Sequence, residues 1–255
     1  MRAQGGWLRV LSVLGLAFLY LPIAVLMVFS MNASRLSATW QGFSWQWYEI
    51  LWRDDALRAA TGNSLLVAAI STVIVMLLGM PAAMGLERVR PRWRGLLDPI
   101  VLLPLVIPEV MMGVALLLLF VLLRMPLSMT TVIVGHAAFN LPVAILVIRA
   151  RLQKLDPRLL EAAYDLGATP WQGFWRVTLP LLFPAILGAA LLAFTISLDD
   201  FIVTFFVAGP GATTLPLKVY SMIKSGVSPE INALSAVLVM VSMGLVGLSL
   251  LFQRR

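Results

Sequence analysis

Two adjacent carboxylates, Asp199 and Asp200, stand inside an apolar run, in the stretch Ser197-Leu198-Asp199-Asp200-Phe201. A charge at the centre of a bilayer costs on the order of 2.5–3.5 kcal/mol even on the lenient insertion scale. Both acids are therefore expected to face the interior of a helix bundle or a water-filled cavity, where they would attract a cation. Phe201, Phe205 and Phe206 follow at once, and rings there could line a path for an alkyl-ammonium chain through apolar and cation–π contact. Glu109, in another apolar run beside Pro108, is a weaker candidate for the same pathway. It could equally be satisfied by backbone groups freed at the proline. The alternative for the two aspartates is structural: they cap a broken helix or pair with basic residues.

Other chemistries find few residues to use. The single histidine, His136, lies near Asn140 in an apolar run and reads as a helix–helix hydrogen bond rather than a transport group. With one histidine and no cysteine, a metal site, a Ser-His-Asp triad and a disulfide framework have little support. No G-x-x-x-x-G-K-[ST] sequence is present, and the glycine-rich piece Gly209–Thr214 lacks the lysine. The chain is therefore expected to bind no nucleotide itself. Adjacent aspartates on one helix point about 100° apart, which argues against an intramembrane aspartyl protease.

The elements that must hold these groups are membrane spans. The 255 residues are 60% hydrophobic and 12% charged, with a mean hydropathy of +0.94. A soluble domain cannot hide that much apolar surface. Six spans are expected, at about 10–31, 60–86, 97–123, 129–149, 184–206 and 231–252, each long enough to cross a ~30 Å hydrocarbon core. The first is too long for a signal-peptide core and reads as an uncleaved span. Prolines 22, 81, 104, 108 and 142 fall inside spans and are expected to kink them. A bend is expected near Pro104 and Pro108.

Orientation follows from the basic residues. With the N-terminus inside, thirteen of the 19 lie in cytoplasmic segments: Arg2, Arg9, Arg88, Arg90, Arg92, Arg94, Arg149, Arg151, Lys154, Arg158, Arg176, Arg254 and Arg255. The outer segments keep Arg35, Arg53, Arg58, Arg124, Lys218 and Lys224. This bias puts both termini in the cytoplasm. The net charge of +7 is then a topology signal, and the basic run Arg88–Gly95 is an orientation signal near anionic headgroups rather than a nucleic-acid site. The outer loop 32–59, dense in Trp40, Trp45, Trp47, Tyr48 and Trp52, suits a short helix at the interface or a contact with an extracytoplasmic partner. A second short helix is expected at 215–224.

The longest polar break between spans is Asp156–Pro180, on the cytoplasmic side by this topology. Asp156 can cap a helix starting at Pro157, and Gly167 can end it in the left-handed conformation. Thr169 and Pro170 repeat the start signal. Two short helices, about 157–165 and 170–176, joined by a Gly-Ala hinge are expected.

This stretch carries a resemblance. Glu161-Ala162-Ala163, Gly167 and Leu179-Pro180 resemble the EAA loop of bacterial ABC-importer permeases, with Val177 where isoleucine is commoner. The segments Ser197–Phe201, Gly209–Lys218 and Gly226–Leu234 resemble the second permease of spermidine/putrescine importers. The resemblance implies an all-α transmembrane fold, a six-helix type I (MetI-like) importer permease with a cytoplasmic coupling-helix loop. It divides the chain into a first span and outer loop (1–59) and a permease core (60–255) with the EAA loop at 156–180. It implies an inner-membrane subunit that moves polyamines by alternating access. The implied partners are a second permease, two ATPase subunits carrying ATP and Mg, and a soluble periplasmic polyamine-binding protein; lipid surrounds the spans, and no nucleic acid is involved. The implied ATPase-coupling residues are Glu161, Ala162, Ala163, Asp165 and Gly167; Asp199, Asp200, Phe201, Phe205 and Glu109 would form the substrate pathway. A same-family permease for ferric ion or an aminophosphonate, and an ion-driven secondary transporter, stay open as alternatives.

Overall fold

The computed structural model describes residues 5–34, 39–224, 226 and 228–253. Arg2, Arg35, Val227, Arg254 and Arg255, which entered the topology and motif readings, lie outside the described residues. In chain order the helices are α1 (Gly5–Phe29), α2 (Gln46–Arg53), α3 (Asp55–Arg88), α4 (Pro91–Val106), α5 (Glu109–Leu122), α6 (Met129–Leu152), α7 (Arg158–Asp165), α8 (Pro170–Gly173), α9 (Leu179–Asp199), α10 (Ile202–Val207), α11 (Leu215–Lys224) and α12 (Pro229–Gln253). A π-helical turn, Phe174–Thr178, joins α8 to α9. Among the described residues there is one isolated β-bridge, Asn32 with Phe43.

Four continuous helical stretches are long and apolar enough to span: Arg9–Phe29, Asp55–Arg88, Met129–Leu152 and Pro170–Asp199. The pair α4 and α5 is long and apolar enough only when taken together, and it is bent by 102° at the break between them. The sixth expected span falls on α12, Pro229–Gln253. The bend sits where one was expected, and its cause is local. Ile107 precedes Pro108 and takes an extended ψ of 132°, because the proline ring excludes the helical conformation for the residue before it. The other four prolines break nothing: Pro22, Pro81, Pro104 and Pro142 lie inside continuous helices.

Two expectations fail. The expected fifth span, 184–206, is not one helix. It stops at Asp199 and resumes as α10 at Ile202. The second short helix of the polar break does not end near residue 176 either: α8, the π turn and α9 run on as one 30-residue stretch, Pro170–Asp199.

The chain divides into two compact units, residues 1–58 with 218–255, and residues 59–217. In the first, α12 packs against α1 and α2. Asn32 ties the following loop down: its Nδ2 donates to Thr39 O (2.7 Å), its Oδ1 accepts from Ser34 N and Gln41 N, and its carbonyl accepts from Trp47 Nε1 (2.7 Å). Trp47 is thereby buried while Trp52 stays 81% exposed, so the expected short helix exists as α2. Asp54 begins α3 by accepting from Leu57 N (3.0 Å). Its burial pushes the carboxyl up, but that amide and Lys218 Nζ, 3.5 Å away, hold it below its ordinary value.

The second unit has two cores. Val75, Ala83, Ala144, Ile148, Ala189 and Ala193 join α3, α6 and α9; the alanines let α6 and α9 approach closely, as small residues do between helices in lipid. Val67, Leu116, Phe120, Val132, Val203 and Val207 form the other, around α10.

Candidate functional site

The two expected sites lie at opposite ends of α9. At its C-terminal end, Asp200 has an extended ψ of 117°. Its Oδ1 accepts the Thr204 amide (3.2 Å) and its carbonyl accepts the Thr204 hydroxyl (3.5 Å). The aspartate thus satisfies donors that the start of α10 leaves unpaired. Asp200 is 6% exposed. Asp199, the last residue of α9, is exposed, so only one of the two acids turns inward.

Glu109 is brought to the same place. It opens α5 just after the 102° bend and interacts electrostatically with the Asp200 carboxylate. Two carboxylates held together at the junction of two interrupted spans make a place where a cation would be attracted. Phe201 packs its ring 5.5 Å from Phe205, which meets Phe206 edge-on at 5.4 Å. Phe206 lies against α5 so closely that a Cβ on Gly113 would come within 2.6 Å of its ring.

His136 does make the helix–helix contact expected of it. Its Nδ1 is hydrogen-bonded to Ser197 Oγ (2.7 Å) and its Nε2 to Thr204 Oγ1 (2.8 Å), with Asp200 Oδ1 at 3.7 Å. Ser71 of α3 adds a hydroxyl contact to Ser197 (3.1 Å). The Asn140 side-chain oxygen is buried without a hydrogen-bond partner. Sequence reasoning missed Ser71 and Thr204. The only available signal was a hydroxyl inside an apolar run, and such residues are common on helix interfaces.

At the other end of α9, the polar break folds as its residues require. Asp156 Oδ1 accepts from Arg158 N (3.0 Å), so α7 starts one residue later than expected. It ends in a Schellman motif: Ala168 N bonds to Ala163 O (3.0 Å), Gly167 N to Tyr164 O (2.9 Å), and Gly167 has φ +84°. Thr169 and Gln172 form a reciprocal capping box at α8. α7 packs on α8 because Gly173 has no side chain; a Cβ there would lie 2.9 Å from the Tyr164 ring. Glu161, Ala162, Asp165 and Gly167 are exposed and Ala163 is half-buried. Leu166, 89% exposed, and Trp171, 69% exposed, lie on the same segment. A cavity of about 350 Å³, lined by Leu155, Leu159, Leu160, Val177 and Leu181 with Glu87, Arg88 and Asp156, lies beneath α7.

A cluster that sequence reasoning did not find stands beside that cavity. Arg149, 9% exposed, donates to both Asp98 oxygens (2.7 and 3.2 Å) and to Glu87 (2.9 Å). Gln153 also donates to Glu87 (2.9 Å). Arg149 had been counted only as an orientation signal. No cluster of acids and histidine able to hold a metal occurs among the described residues.

Comparison with known proteins agrees with this architecture. The family described as "Binding-protein-dependent transport system inner membrane component" matches residues 75–255. The chain is 45% identical over 249 residues to the putrescine transport system permease protein PotI of Escherichia coli K12, covering 94% of this chain and 88% of that one. It is 40% identical over 238 residues to the spermidine/putrescine transport system permease protein PotC of the same organism, covering 93% and 90%. Among solved structures, a chain of a bacterial ABC transporter involved in import of the acidic polysaccharide alginate superposes with a TM-score of 0.75 at 19% identity, covering 99% and 96%. A chain of the MetNI methionine ABC transporter superposes with a TM-score of 0.66 at 20% identity, covering 79% and 94%.

Proposed function

This chain belongs to the family of binding-protein-dependent transport system inner membrane components, and from that premise we propose that it is the polyamine-translocating permease subunit of an ATP-driven importer. The observation that carries the substrate class is the buried Asp200 beside Glu109 at two interrupted spans, in a chain 40–45% identical to permeases named for putrescine and spermidine. A polyamine is a flexible cation with apolar methylene stretches. Carboxylates suit its ammonium groups and the Phe201 and Phe205 rings suit the chain between them. Asp199, exposed at the same break, extends the acidic surface.

The energy comes from elsewhere. The chain holds no Walker A lysine, so ATP and Mg are bound and hydrolysed by a separate pair of ATPase subunits. The exposed segment with Glu161, Ala162, Ala163, Asp165 and Gly167 docks on them from the cytoplasm. A second permease completes the membrane portion, and a periplasmic binding protein delivers the substrate. Both termini are cytoplasmic. The continuous helix from Pro170 to Asp199 supports a lever: a shift handed from α7 across the Gly167–Thr169 turn to Pro170 reaches Asp199 along one helical stretch.

Uptake of radiolabelled putrescine and spermidine by the reconstituted complex, with its ATPase and binding protein, tests the proposal. ATP-dependent accumulation that falls with Asp200→Asn is the expected result. Accumulation that ignores removal of the ATPase, or that is unchanged in both Asp199→Asn and Asp200→Asn, overturns it.

A further inference from the structure

The break between α9 and α10 is short, two residues long, Asp200 and Phe201. Neither is a proline, and the helices resume after them. What spans the break is His136 of α6. One ring nitrogen bonds Ser197 on the α9 side (2.7 Å) and the other bonds Thr204 on the α10 side (2.8 Å). The exposures of His136, Ser197 and Thr204 are 1%, 3% and 0%, so water does not compete for either bond. The next residue, Gly135, lets α10 press close: a Cβ there would meet Val203 Cγ1 at 3.0 Å. The imidazole is rigid and has one hydrogen-bonding atom on each side, a shape suited to holding two hydroxyls apart at a set distance.

We propose that His136 is a positioning residue that clamps the two sides of the break and so sets where the Asp200 carboxylate is presented. This rests on the reading of Asp200 as a group in the cation pathway. Thr204 is the link: its amide donates to Asp200 Oδ1 (3.2 Å) while its hydroxyl meets His136 Nε2. Fixing Thr204 fixes the carboxylate. Ser71 of α3 braces the other hydroxyl, Ser197 (3.1 Å), so the clamp is anchored from two spans. The histidine itself need not touch substrate.

The test uses the whole transporter in lipid nanodiscs or proteoliposomes, with its ATPase and binding protein. Polyamine imported per ATP hydrolysed, and the preference between putrescine and spermidine, are measured for His136→Phe, Thr204→Val and the double variant. A side chain that matters only for folding lowers uptake and hydrolysis in proportion and leaves their ratio unchanged. The expected result is a fall of about fivefold or more in the ratio for His136→Phe, the factor carried by one buried hydrogen bond. Thr204→Val should show a similar fall, and the double variant should be no worse than His136→Phe alone, since both variants remove the shared His136–Thr204 bond. An unchanged ratio in His136→Phe overturns the proposal, as do effects that add in the double variant or failure of both single variants to assemble. Asp200→Asn run alongside separates the two readings. If it too leaves uptake unchanged, the cation-pathway reading has failed; if it lowers uptake while His136→Phe does not change the ratio, only the positioning role has.

Discussion

Arg149 of α6 grips Asp98 of α4 with two hydrogen bonds, 2.7 and 3.2 Å, and holds Glu87 of α3 with a third at 2.9 Å. One guanidinium thus joins three spans directly beside the cavity under α7. Its planar fork matches a carboxylate in a way a lysine ammonium cannot. Removing it leaves Asp98 without its guanidinium partner and Glu87 with Arg94, 3.4 Å away, as its remaining cation.

Arg149→Met is therefore expected to destabilise the subunit by about 3 kcal/mol, at the low end for a broken buried pair because Asp98 and Glu87 keep some water contact. Arg149→Lys should recover only part of this. Thermal unfolding of the purified complex in detergent measures both, and equal midpoints for Arg149→Met and wild type would refute the clamp.

Gly167 ends α7 at φ +84°, and an added Cβ would find nothing within 4 Å. The first side-chain atom therefore acts through the backbone, at a cost of about 1–2 kcal/mol for a left-handed L-residue. Gly167→Asp is expected to abolish ATP-coupled uptake while the permease still reaches the membrane, because the turn sets the angle of the exposed segment proposed to dock on the ATPase. Membrane abundance by immunoblot and uptake in the same cells decide it; near-normal uptake counts against docking.

Asp200→Asn keeps an oxygen able to accept the Thr204 amide and removes only the charge. Uptake is expected to drop about tenfold, the effect of roughly 1.4 kcal/mol of lost attraction for a cation. Asp199→Asn, at the exposed position, should cost less, and Glu109→Gln an intermediate amount. The order of the three initial rates is the check, and a larger loss at Asp199 than at Asp200 would reverse the assignment.

Gly209 packs where a Cβ would lie 1.8 Å from the Leu127 carbonyl oxygen. Backbone cannot yield there as a side chain would. Gly209→Ala should destabilise the protein by about 2–3 kcal/mol through overpacking, whereas Gly211→Ala, with open space around it, pays only for its left-handed φ. Comparing the two unfolding midpoints tests the distinction.

What could be read without coordinates was chemistry that acts over a few neighbours. Gly167 closing α7, the Thr169–Pro170 start and the bend at Pro108 each follow from one or two residues and their backbone, and the short helix Leu215–Lys224 from its local sequence, whereas the N-cap of α7 is Pro157, with Asp156 one residue before it accepting from Arg158 N. The EAA resemblance was legible because its residues lie close together in the chain.

The break at Asp200 was legible only as the alternative in which the aspartates cap a broken helix, since it contains neither proline nor glycine and the imidazole that bridges it, His136, comes from another helix. Arg149 meets partners 51 and 62 positions away, and His136 meets partners 61 and 68 away. Spans that are apolar on every side carry no stripe to announce which face meets which neighbour. Composition and local stereochemistry determined that this chain forms membrane helices joined by a capped polar elbow. Only tertiary packing decided which buried polar groups meet, because that depends on the rotation and depth of each helix against the others.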